Sequence, residues 1–142
     1  MNFTKKLVAV ALLASSLIIS GCGESQVGAI DVEKVMAEAP RVKTIMEEAQ
    51  GKVTEAQQKF EQDNASKEMT EEEALKVQME FQRKLESINQ AYAAKIKSVI
   101  DVKVEEVARE KNIDVVINNS EEQKILFQGG IDITQDVIKK MQ

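Results

Sequence analysis

The chain has 142 residues and a formal net charge of −5, with 24 Asp and Glu against 19 Lys and Arg, no histidine, no tryptophan and one cysteine. That length holds one small domain, and the acidic balance excludes the basic surface that nucleic-acid binding needs. Aromatic residues are four Phe and one Tyr, so the 43% hydrophobic content suits slender helices better than a broad core.

Asn2 to Lys6 is a short polar stretch with two lysines, and Leu7 to Ile19 is an apolar run of about thirteen residues. A run of that length matches a secretory signal and falls short of the roughly 20 residues a spanning helix needs. Residues 1–21 therefore read as a signal peptide. At its end, Ile19-Ser20-Gly21-Cys22 resembles the lipobox of bacterial lipoproteins. That resemblance implies cleavage before Cys22, a diacylglycerol on its sulfur and acylation of the new amino group. Two or more acyl chains hold a protein stably to a bilayer where one is marginal. Gly23 stands where an aspartate would signal retention at the inner membrane, so a lipid anchor in the outer membrane is implied. The other reading is an exported protein whose lone thiol has no second cysteine to pair with.

Residues 22–28 form a polar linker bracketed by Gly23 and Gly28, and the domain is expected over 29–142. Ala29-Ile30-Asp31-Val32 alternates as a short strand does. Helical spacing follows at once. Val35, Ala39, Val42, Met46, Ala49, Val53, Ala56 and Phe60 repeat at four and three residues, the spacing of a heptad seam. Pro40 interrupts it, which predicts a short helix from Val32 to Ala39 and a longer one carrying the proline in its first turn. Turn formers at Asp63 to Lys67 precede Thr70-Glu71-Glu72-Glu73, a capping box that starts a new helix at Glu71. Its apolar line includes Leu75, Met79, Phe81, Leu85, Ile88, Tyr92, Ile96 and Val99 and runs on to about Lys111, roughly 60 Å of helix.

The two seams predict an antiparallel hairpin over about 33–111, with Val53 facing Phe81, Ala49 facing Leu85, Met46 facing Ile88, Val42 facing Tyr92 and Phe60 facing Leu75. Small residues then lie opposite large ones. Beyond the hairpin, Ile113 to Asn118 and Lys124 to Gln128 read as strands, and Thr134 as the cap of a final helix with Val137, Ile138 and Met141 on one apolar face. The fold class expected is α+β: a small β-body at 29–32 and 113–142, a long helical hairpin and a short C-terminal helix. Ile30, Val32, Val115, Ile117, Ile125 and Phe127 exceed what one such body buries, which points to contacts between copies.

"AIDVEKVMAEAPRVK" at Ala29 to Lys43 and "VAREKNIDVVINNSEEQKILFQGGIDITQDVIKKM" at Val107 to Met141 resemble the opening and ending of the OmpH/Skp family of periplasmic chaperones. The resemblance covers residues 28–142. It implies a jellyfish-like trimer whose strands join in a central body and whose three hairpins hold unfolded outer-membrane proteins without ATP. Well-known members are basic, free in the periplasm and longer in the arms. This chain is acidic, carries a lipobox and looks shorter, and its tip from Glu61 to Glu73 holds six acids against Lys67 alone, so no lipopolysaccharide site is carried over. No Gly-rich phosphate loop, histidine or activated nucleophile is visible, so neither enzyme activity nor a cofactor is expected. The reading from a different class is a structural envelope lipoprotein acting as a spacer or tether.

Overall fold

The computed structural model describes residues 25–126 and 128–142. The signal peptide, Cys22 and Phe127 lie outside the described residues. In chain order the elements are β1 (Val27–Ile30), α1 (Val32–Glu38), α2 (Pro40–Asn64), α3 (Glu71–Glu110), β2 (Val115–Asn118), β3 (Ile131–Asp132) and α4 (Thr134–Lys139). The architecture is mixed helix and strand, dominated by the 40-residue α3.

Each helix begins and ends for a local reason. Asp31 caps α1, its carboxylate accepting the Lys34 backbone N–H at 2.9 Å, so the strand reading that ran through Val32 is corrected: Val32 is the first residue of α1. At the next junction Ala39 is extended, and Pro40 opens α2 where its missing N–H costs nothing. The free Arg41 N–H donates to the Met141 carbonyl at 2.9 Å, which ties the start of α2 to the chain end. For α3 the expected capping box is present: Thr70 Oγ1 accepts the Glu73 N–H while the Glu73 carboxylate accepts the Thr70 N–H. Asn112, with a φ of 55°, ends the turn that follows α3, in the left-handed region that asparagine tolerates.

The three strands form one sheet in the order β2-β1-β3, all parallel. Parallel neighbours need a long crossover, and α1, α2 and α3 together supply the one from β1 to β2. Val27 pairs with Val115 and Ile30 with Asn118, while Gly28 pairs with Ile131. Val27 and Gly28, read as linker, are thus strand residues. Gly28 packs closely: a Cβ there would sit 3.0 Å from an Ile113 methyl group, which would have to give way.

Two further expectations are corrected. Lys124 to Leu126 form no strand; the Leu126 N–H instead donates to the Asn119 side chain at 2.7 Å. The third strand is Ile131–Asp132, reached after Gly129 and Gly130 turn the chain at φ of 82° and 86°. Thr134 is the first residue of α4 and not its cap. Its hydroxyl accepts the Asp31 N–H at 2.9 Å, and its own N–H donates to Asp132. The helix is thereby stitched to the end of β1.

The core sits at one place. Ile30, Val35, Ala39, Val42, Ile45, Ile96, Ile100, Val107, Ile113, Ile133, Val137, Ile138 and Met141 are buried together. The apolar face expected of α4 is part of it. Between Met46 and Lys95 no residue is buried, so the greater part of α2 and the first half of α3 extend beyond the core.

Candidate functional site

Where α1, α2 and α3 meet, the side chains leave a hollow of about 520 Å³ walled chiefly by Val32, Met36, Met46, Val53, Tyr92 and Ile96. It lies beside the junction where extended Ala39 ends α1 and Pro40 begins α2. Gln50, Asn89, Lys97 and Asp101 supply the polar part of the lining. Near this hollow Lys95 pairs with Glu48 and lies 5.4 Å from the centre of the Tyr92 ring. The ammonium beside Glu48 holds its carboxyl below the usual range. Both partners are exposed, so the pair fixes position more than it stabilises.

Farther along, Phe60 of α2 stacks on Phe81 of α3 with ring centres 4.2 Å apart and planes 22° from parallel. The sequence pairing set Phe60 against Leu75 and Phe81 against Val53. The contacts Phe60 to Phe81 and Glu48 to Lys95 shift α3 by about one heptad relative to that pairing, a slide that keeps a heptad seam facing inward. Leu75 and Met79, no longer opposite α2 seam residues, are 58% and 44% exposed.

The seam residues divide by distance from the core. Val42 is buried, Met46 is exposed, and Val53, Phe60, Phe81, Leu85, Ile88 and Tyr92 are half-buried. The seam reading missed Ile45 and Ile100, both buried. Their signal was present in the spacing Val42 to Ile45 and Ile96 to Ile100, the three and four of a helix face.

The positions assigned to contacts between copies are not brought together as one surface. Ile30 is in the core, Val32 lines the hollow, and Ile117 is half-buried. Val115 and Ile125 are exposed, at 53% and 63%, and Ile131 joins them at 38%. Ile131 was missed because a two-residue strand leaves no alternation to read.

Among the described residues no group of His, Cys, Asp or Glu is placed to hold a metal ion, and no helix is long and apolar enough to cross a membrane. What the hollow and the seam can do chemically is shelter apolar groups from water. Compared with known proteins, the chain matches no family profile and no curated protein.

Proposed function

We propose that this chain is an ATP-independent holdase chaperone of the periplasm, anchored through a lipid on Cys22. In this reading α2 and α3 form an antiparallel hairpin, and three copies join through their β-bodies so that the hairpins surround an unfolded outer-membrane protein. The observation that carries it is the run from Met46 to Lys95 without a buried residue. A helix pair that extends past its core with a half-buried apolar seam offers a client many weak contacts and bends at small cost. The Phe60 to Phe81 and Glu48 to Lys95 contacts support the antiparallel pairing. The sequence resemblance to the OmpH/Skp family supports the client class, and the site binds rather than catalyses.

An unfolded outer-membrane barrel protein diluted into the purified chain, without nucleotide, tests the reading by light scattering. Suppressed aggregation is expected at 0.1 M and at 1 M salt alike. Coulombic holding would fade as the Debye length shortens from about 10 Å to about 3 Å, whereas apolar contact persists. No suppression at either salt would replace the chaperone with a spacer or tether between envelope layers.

A further inference from the structure

The first turns of α3 carry an apolar face turned away from α2. Val77 shares a hollow with Phe60 and Phe81 on the seam side. Two residues turn a helix by about 200°, so Leu75 and Met79, each two residues from Val77, point to the opposite side. They are 58% and 44% exposed, and a spacing of four sets them side by side. Single exposed apolar residues are ordinary, but among the described residues no other two large ones stand one turn apart on a helix. The same end of the molecule is acidic. Residues 68–82 hold five Glu and one cation, Lys76, which pairs with Glu72 at 3.0 Å. Glu71 and Glu72 stand within about one turn of Leu75, and Arg83 bounds the face one turn past Met79. Acids in a first turn also favour the helix start, but Glu61 and Asp63 at the end of α2 and Glu68 in the link lie outside α3 and extend the same charge.

We propose that this face docks a basic amphipathic helix of another protein, with the partner's apolar stripe on Leu75 and Met79 and its Lys or Arg residues against the acids. A helix fits, because it presents apolar residues at the three and four spacing that matches a pair one turn apart. Opposite charge steers the encounter and rejects acidic partners. The contact is small, which makes it weak and quick to exchange. The docking face lies opposite the seam, so the inference goes beyond the chaperone reading and does not depend on it.

Fluorescence anisotropy on the purified chain tests this with a labelled Leu/Lys peptide of amphipathic helical pattern. Its controls are the same composition scrambled to remove the stripe and a Leu/Glu peptide of the same pattern. The patterned Leu/Lys peptide should bind, and several-fold more weakly as the Debye length shortens from about 10 Å at 0.1 M salt to about 3 Å at 1 M. Both controls should bind several-fold more weakly than it does. The double variant L75Q/M79Q, which substitutes a good helix former, should weaken binding several-fold with unchanged circular dichroism. E71Q/E72Q, which leaves the Thr70 and Glu73 cap in place, should weaken binding and flatten its salt dependence. A peptide held along the seam as a client would keep its affinity in both variants and at both salts, and that result would overturn the proposal. So would a patterned Leu/Lys peptide that fails to bind, or a scrambled one that binds equally well.

Discussion

Gly51 and Gly130 stand in opposite physical situations. Gly51 lies inside α2, and a Cβ there would meet nothing within 4 Å. Gly51→Ala should therefore raise stability by about 1 kcal/mol, the usual difference between the two residues in a helix interior. Gly130 has a φ of +86°, and a Cβ built on it lies 2.5 Å from a Leu126 methyl and 3.3 Å from the Val27 carbonyl oxygen. Gly130→Ala should lower stability by about 1–2 kcal/mol from backbone strain alone. Thermal unfolding of both variants checks the pair, and an unchanged midpoint for Gly130→Ala would remove the strain argument.

At the same scale, the Thr134 hydroxyl and backbone N–H hold the Asp132 carboxyl below the usual carboxylate range. In the unfolded chain the group regains its ordinary value, so acid loads protons onto the unfolded state first. The contribution is present above the ordinary pKa and is lost as pH falls through the lowered one. Asp132→Asn should therefore make denaturant stability less dependent on pH between about 5 and 3. Glu73, lowered by the Thr70 N–H and then its hydroxyl, has the same sign. Identical slopes for parent and variant would mean that Asp132 is not coupled to folding.

Among the elements, the seam of α2 and α3 separates two kinds of apolar residue that look alike in sequence. Ile45 is fully buried and Leu75 is 58% exposed. Ile45→Ala should cost about 2–5 kcal/mol, the range for emptying a core position, whereas Leu75→Ala should stay within about 0.5 kcal/mol. Urea unfolding measures both, and equal losses would restore the pairing in which Leu75 faces Phe60. Local signals were legible in the sequence because they act within one turn: Pro40 at the start of α2, and Thr70 with Glu73 at α3, whereas Asp31, read as a strand residue, caps α1. Register was not legible, because a heptad seam looks the same after a slide of one heptad. The link between the helices decides it. Lys67, Glu68 and Met69 line a hollow with Glu73 and Val77, so the link runs beside α3 for nearly two turns. The first turns of α3 thereby pass the end of α2 before the seams meet. Strand β3 was hidden for a different reason. Backbone pairing with Gly28 and Ala29 defines it, while the more apolar Lys124 to Leu126 stretch stays unpaired. Of the candidate site, Met46, Val53 and Tyr92 stood on the seams, but Met36 stood on neither and shares their hollow only through the tertiary placement of α1.

For the whole molecule, the decisive feature is a parallel sheet with one strand on each side of β1. Among the described residues β2 and β3 each pair on one edge only, and Val115, Ile125 and Ile131 are exposed beside them. Parallel sheets are ordinarily covered, and an open edge with apolar neighbours invites another chain. A strand of another copy pairing at such an edge would cover the apolar residues beside it, and because β2 and β3 differ, edge-to-edge contact between copies is head-to-tail, which makes a ring only where the rotation between copies closes. Light scattering on the purified chain should therefore give about three times the monomer mass, three being the number that the proposed cage requires. Val115→Asp should lower that mass by placing a carboxylate in the contact, where its desolvation has no compensating partner. Val115 is already 53% exposed within one protomer, so its replacement leaves the protomer's core intact, and circular dichroism should be unchanged while the assembly dissociates. The same change at Ile30 could not make this distinction, since Ile30 belongs to the core and its loss would unfold the protomer. A parent chain that scatters as a monomer at micromolar concentration would rule out the three-armed cage and leave a single hairpin to act alone.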